Sequence, residues 1–377
     1  MKVYLDNAAT TRIHPEVFKA MLPVLENQFG NPSSIHSFGR ETKSLIETSR
    51  KSIAKLLNVT PAEIFFTSGG TEANNMALRC TISDLKIKHV ISSEIEHHAV
   101  SHTLEELSKK EIINLNFVEI DQLGHINFDH LEKLLTENPG SLVSLMHANN
   151  ETGTITDINR VGELCRKYNS FFHSDTVQSM AHVPYDLATI PVDFVTCAAH
   201  KFHGPKGVGF LYINKRMKIH PFITGGAQER NMRGGTENIY GIVGLAKALE
   251  IAYRDLDHDK ELIYDLKKHL TERLVQEIPG VSFNGDITES NLYTVLNVSF
   301  PATDGSEMLL FNLDIAGIAV SGGSACSSGS EIGSHVLKAM KTDPNRSAVR
   351  FSFSKFNTKE ELDFCVEKLK ELMLVKA

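Results

Sequence analysis

Short apolar runs alternate along the chain with longer stretches whose apolar residues recur every three or four positions. The short runs, at residues 64–67, 89–93, 117–121, 141–146, 170–175, 192–196 and 208–213, predict strands. The longer stretches predict helices over 41–57, 129–136, 157–168, 239–253 and 262–278, after a first helix opened by His14-Pro15-Glu16. Strand and helix in turn is the pattern of an α/β domain with a parallel sheet covered on both faces. After about residue 256 the pattern changes. Strands near 293–299, a helix over 306–312 and a terminal helix over 359–372 predict a smaller α+β unit.

Polar residues gather just after the predicted strands: Ser68 to Thr71, His97, Asn150, Asp175 and Lys201. In sheets of this kind ligands bind at the carboxyl ends of the strands, so these positions predict one shared site. Ser68-Gly69-Gly70-Thr71 lies between a strand and a helix start, where free N–H groups and the positive helix end favour an anion. An ordinary strand-to-helix turn has the same composition. Lys201 follows small residues, Ala198 and Ala199, and precedes the turn Gly204-Pro205-Lys206-Gly207. Packed against strands, its ammonium would be partly desolvated and its amine made nucleophilic, which suits a Schiff base with a carbonyl cofactor such as pyridoxal phosphate (PLP). A surface lysine in a polar hairpin is the competing reading.

Composition narrows the classes. The chain has 377 residues, 41% of them hydrophobic and 23% charged, with a net charge of -7. A phosphate-neutralising nucleic-acid binder needs the opposite charge. No apolar run approaches the roughly 18 residues that span a bilayer, and residues 1–10 lack a signal peptide's order, so a cytoplasmic protein is expected. The five cysteines, Cys80, Cys165, Cys197, Cys326 and Cys365, are widely spaced and contain no CxxC, as expected of reduced thiols. The histidines show no convincing metal-ligand set. Residues 321–330 read SGGSACSSGS, all Gly, Ala or Ser except Cys326. That is the composition of a flexible arm able to carry a thiol into a site and out again, or of a linker with an incidental cysteine. Arg350, on a predicted strand, suits a bidentate carboxylate contact or a structural ion pair.

Taken in order, YLDNAATT, GNPSSIHSFGR, FTSGGTEANNMAL, EHHAV, HANNETG, HSDTVQS, AHKFHGPKGVG, RGGTEN, SGGSACSSGS and VRFSFSKF resemble the PLP-dependent cysteine desulfurases of the NifS/IscS type, in the class V aminotransferase group. These segments run from Tyr4 to Phe356, nearly the whole chain. The resemblance implies the PLP-dependent transferase fold (fold type I): a large domain, residues 14–256, with a mainly parallel seven-stranded sheet, and a small domain of residues 1–13 and 257–377 that carries the cysteine loop. It also implies roles. Lys201 would hold PLP as a Schiff base and move the substrate Cα proton. Asp175 would pair with the pyridine nitrogen, Gln178 would bond the ring hydroxyl, and His97 would stack on the ring and serve proton transfer. Asn150 would contact the cofactor near the ring. Gly70, Thr71 and His200 would hold the phosphate, joined by Thr236 from the other subunit of a homodimer. Arg350, with Asn31 nearby, would take the carboxylate of L-cysteine. Cys326 would accept the sulfur as a persulfide and pass it to an iron–sulfur scaffold or another acceptor protein. Ala198 departs from the family's frequent serine, which predicts somewhat weaker PLP binding. Two other readings stand beside this one: a selenocysteine lyase or β-lyase on the same scaffold, and a PLP-bound partner-binding or regulatory subunit.

Overall fold

The computed structural model describes residues 1–288, 291–303, 306, 308–322 and 333–374, so Cys326 lies outside the described residues. In chain order the elements begin β1 (Val3–Tyr4), α1 (Pro15–Asn27), α2 (Ser37–Leu56), β2 (Ile64–Thr67), α3 (Gly70–Asp84), β3 (His89–Ser92), α4 (His98–Lys109), β4 (Asn114–Phe117), α5 (Phe128–Glu137) and β5 (Leu142–Ser144). They continue α6 (Ile158–Lys167), β6 (Phe171–Asp175), β7 (Phe194–Ala198), β8 (Gly209–Ile213), a single turn α7 (Gln228–Asn231), α8 (Ile239–Arg254) and α9 (Leu256–Glu277). The remainder is β9 (Ser282–Asn284), β10 (Val295–Phe300), α10 (Leu309–Ile315), β11 (Ile318–Ala319), α11 (His335–Ala339), β12 (Ser347–Ser352) and α12 (Lys359–Leu374).

Seven strands form the large sheet in the order β2-β8-β7-β6-β5-β3-β4. Only β8 runs against its neighbours, pairing antiparallel with β7 and β2. Every residue of β2, β5, β7 and β8 is buried, as continuous apolar runs covered on both faces should be. A main core lies between the sheet and α1, α2, α5, α6 and α8, with Val143, Phe172, Val195 and Phe210 fully buried from the sheet side. A second core joins α9, α12, β10 and β12 around Leu266, Leu270, Phe300 and Phe351. Val3 and Leu5 belong to this second core, because β1 pairs in parallel with β11. The chain's first residues therefore pack with its last third and then lead, through 6–11, straight over the large sheet's strand ends.

Two elements sit away from their expected positions. The strand predicted at 117–121 is β4, three residues earlier. Its ladder to β3 starts at His89↔Asn114 and ends at Ser92↔Phe117, so pairing stops where β3 stops. The helix predicted at 306–312 is α10, shifted to Leu309–Ile315, with Leu309 and Leu313 as its buried i,i+4 pair.

The loop before α8 is held by an ion pair. Arg50, 2% exposed, donates to both carboxylate oxygens of Glu229 at 2.8 Å, and Glu229 also accepts from Phe66 N. Glu229, Arg230 and Asn231 all have φ between 45° and 66°, a left-handed turn that non-glycine residues adopt at a cost. The buried pair is what keeps this turn, and so the segment carrying Thr236, in place.

Candidate active site

At the carboxyl ends of the strands lies a cavity of about 230 Å³ lined by Gly70, Thr71, His97, Asn150, Asp175, Gln178, His200, Lys201 and Arg350, along with Ala8, Ala9 and Asn74. The floor follows from topology. Asp175 ends β6 and pairs in register with Thr196 of β7, and the chain leaving β7 turns at once through Ala199–Lys201. Acid and lysine are thus delivered by adjacent parallel strands. One wall is the start of α3. Gly69 takes φ 153°, which only glycine adopts readily, and a Cβ on Gly70 would meet Val177 Cγ2 at 2.6 Å. The two glycines bring free helix-end N–H groups up to the cavity.

Asp175 is 4% exposed and wired from three sides. It accepts from Asn74 Nδ2 at 2.6 Å and Val177 N at 2.9 Å, with a longer contact from Thr196 Oγ1 at 3.4 Å. Asn74 Oδ1 faces His173 Nε2 at 3.1 Å, and His173 Nδ1 faces Ser144 Oγ at 2.9 Å. Burial pushes His173 down to about 4, so its ring is neutral at ordinary pH. With Nε2 carrying the proton, the ring fixes which end of the Asn74 amide points at Asp175. The Asp175 carboxylate, held by donors and lining the cavity, would stabilise a protonated ring nitrogen.

Lys201 Nζ donates to Ala8 O at 2.6 Å and Ala9 O at 3.0 Å. The chain's N-terminal loop therefore helps hold the amine over the cavity. His97 caps α4, accepting from Ala99 N on Nδ1 at 3.1 Å, which leaves the proton on Nε2. Burial lowers its pKa, keeping the ring neutral. Burial likewise lowers His200 to about 4, helped by the Lys201 and Lys206 charges. Its Nδ1 lies 3.2 Å from Thr10 Oγ1. Arg350 is 1% exposed. Its fork donates to Asn150 O at 3.0 Å and to Asp6 Oδ1 at 2.8 Å, while its buried Nε has no hydrogen-bond partner. The buried Gln178 Oε1 has none either.

The donor set fits PLP. A helix start and His200 suit a phosphate, Asp175 suits a pyridinium, Lys201 suits an aldehyde, and two orphaned buried atoms await partners. Asn31, expected near Arg350, does not join this cavity. Asn31 is exposed and its side chain accepts from Ser33 N, closing its own turn. Thr236 lines a separate recess of about 130 Å³ with Ser68 and Gly207. Asn74, Ala8 and Ala9 also line the cavity, and Asp6 bonds its Arg350; the motifs contain all four, but their pattern does not mark them. Among the described residues no group of histidines, cysteines and carboxylates would hold a metal ion.

Glu96, beside His97, carries a pH signature. It is 1% exposed, its Oε1 accepts from Met146 N at 2.8 Å and Ser93 Oγ at 3.2 Å, and its Oε2 has no partner. Burial pushes its carboxyl from the ordinary 4.5 up to about 8. Between these values the folded protein binds a proton that the unfolded chain does not, so stability falls as pH rises through that window. The loss is on the order of 3–5 kcal/mol. Glu96→Gln is expected to remove most of this slope. Urea unfolding at pH 5 and pH 8, wild type beside variant, checks it: equal slopes would show Glu96 ionised throughout.

Comparison with known proteins adds an independent line. Residues 3–364 match the family model described as aminotransferase class-V. The cysteine desulfurase IscS of Dictyoglomus turgidum is 43% identical over 379 residues, spanning 99% of this chain and 94% of the relative. The cysteine desulfurase IscS of Clostridium botulinum is 41% identical over 377 residues, with the same coverage of 99% and 94%. A solved structure of a NifS-like protein superposes with a TM-score of 0.92 at 38% identity, covering 99% of this chain and all of that one.

Proposed function

The chain belongs to the class V aminotransferase family, and from that premise we propose that it is a PLP-dependent cysteine desulfurase, converting L-cysteine to L-alanine and passing the sulfur on through Cys326. The observation that carries this reading is the convergence of Lys201, Asp175 and Arg350 on one cavity of about 230 Å³. Relatives at 41–43% identity bear the cysteine desulfurase name. Class V aminotransferases use PLP, and the residues for it are present here.

When bound, PLP supplies an electron sink for the charge left at the substrate's Cα. Everything else falls to the chain. The start of α3 at Gly70 and Thr71, with His200, would hold the phosphate. Asp175, oriented by Asn74, would pair with the pyridine nitrogen and keep it protonated. Gln178 would bond the ring hydroxyl, and Asn150 would lie against the ring's edge. Neutral His97 would stack over the ring with its Nε2 proton ready for transfer. Arg350 would take the carboxylate, placing the Cα hydrogen towards Lys201, which removes it once its amine is free. The Cys326 thiolate then attacks the substrate sulfur. One C–S bond breaks, one S–S bond forms, and the products are alanine and a Cys326 persulfide. An iron–sulfur scaffold or similar acceptor would consume that persulfide.

A homodimer is part of the proposal. Phe18, Leu22 and Leu25 on α1, then Phe29, Ile35 and Phe38, are exposed large apolar residues on one continuous stretch, Ile35 at 91%. Such a patch supports a protein interface, and Thr236, outside its own chain's cavity, would reach the phosphate of the other subunit. The four described cysteines are free, which supports a reducing compartment such as the cytoplasm. No described helix is long and apolar enough to cross a membrane. The test uses PLP-loaded protein, L-cysteine and a reductant. Sulfide and alanine are expected in equal amounts, and pyruvate in place of alanine would move the protein to the β-lyases.

A further inference from the structure

Asp6 belongs to no step above, yet it occupies the guanidinium that the substrate needs. Its Oδ1 accepts from Arg350 Nη2 at 2.8 Å and from Ser321 Oγ at 2.9 Å. The backbones of Ser321 and Arg350 exchange hydrogen bonds at 3.3 and 2.6 Å, so the three residues form one tie. A nearly buried guanidinium without a counter-ion is costly, and Asp6 neutralises it. The same carboxylate is a problem for an arriving amino acid. A second anion must share Arg350, on the donors Asp6 leaves, chiefly the unpartnered Nε, and the two carboxylates repel in a site shielded from water.

We propose that Asp6 is a built-in competitor for the amino-acid carboxylate, setting the affinity of this site for amino acids low. The inference rests on the reading that Arg350 takes the substrate carboxylate. Substrate and product carry the same carboxylate, so the competition weakens both about equally. Tight binding of both would lower KM while slowing alanine's departure. Asp6 is thus a positioning and affinity-setting residue, acting only through Arg350.

The test measures L-alanine binding to the PLP-loaded holoenzyme, by calorimetry and by the change in cofactor absorbance. Asp6→Asn keeps the shape and the Oδ1 acceptor for Arg350 and Ser321 while removing the charge. It is expected to bind L-alanine about tenfold more tightly and to lower KM for L-cysteine by a similar factor, with kcat unchanged or reduced. L-alaninamide, which lacks the carboxylate, is expected to bind wild type and variant alike. If Asp6 merely held the arginine in place, Asp6→Asn would weaken L-alanine, and weaker or unchanged binding overturns the proposal. Cofactor absorbance reports loading, and Asp6→Ser provides the same charge removal in a smaller side chain should the asparagine fail to fold. Arg350→Lys separates the two readings. Loss of L-alanine affinity there with no gain in Asp6→Asn defeats the competition alone, while no loss in Arg350→Lys defeats the arginine's role and the competition with it.

Discussion

Lys201→Ala is expected to abolish desulfuration, with a loss of at least about a thousandfold in kcat. Two proposed functions would be lost together: the covalent hold on the cofactor and the base for the Cα proton. The scaffold around the residue should survive. Lys201 Nζ bonds the Ala8 and Ala9 carbonyls, and β7 on its amino-terminal side is fully buried and paired on both edges. The variant should still take up PLP non-covalently through α3, His200 and Asp175. The checks are turnover, the visible absorbance of the protein, and the cofactor's release on denaturation without a reducing step. A variant that kept the covalent absorbance band would place the Schiff base on another amine.

Cys326→Ala is expected to give the second large effect, of a different kind. Cofactor binding and L-cysteine binding should be retained, while sulfide release falls by at least about a hundredfold. The remaining thiols make poor substitutes. Cys80, Cys165, Cys197 and Cys365 are all buried. Burial pushes Cys80 and Cys365 up to about 12 and raises Cys165 and Cys197 as well, so none is a thiolate at neutral pH. The described residues on either side of Cys326 are bonded to residues that include or adjoin the cavity lining, Arg350 on one side and Glu151, next to Asn150, on the other. Ser321 is tied to Asp6 and Arg350, and Ser334 donates to the buried carboxylate of Glu151. An unchanged rate of sulfide release in Cys326→Ala would remove the persulfide from the account. Single-turnover absorbance changes on adding L-cysteine would separate a loss of sulfur transfer from a loss of substrate binding.

Much of this was legible in the sequence because the site lies where an alternating strand–helix pattern must put it. Asp175 and Lys201 each follow an apolar run, and parallel pairing of the two runs brings them together without further information. Gly69-Gly70 announces a close approach of backbone, and the structure supplies the reason in Val177 packed against Gly70. What stayed hidden is what side-chain identity does not encode. The groups that hold Lys201 are backbone carbonyls of Ala8 and Ala9, and a carbonyl leaves no mark in a sequence. The Ser144-His173-Asn74 chain behind Asp175 joins three separate elements whose spacing has no local signature. Asp6 meets Arg350 only because β1 pairs with β11 and carries the first residues into the second core. The β4 shift has the same origin, since the length of β3, not the composition of residues 114–121, decides where pairing ends. Asn31 lies outside the cavity that the motif resemblance implies for it, because its side chain closes its own turn with Ser33 N.

The most direct test of the central claim is the mass of the protein itself. PLP-loaded protein is mixed with L-cysteine without reductant, quenched and digested, and the peptide holding Cys326 is weighed. This peptide is expected to gain one sulfur atom, lost again on reduction, as one alanine forms per subunit. Alanine and sulfide formed at full rate with no sulfur ever found on Cys326 would contradict it.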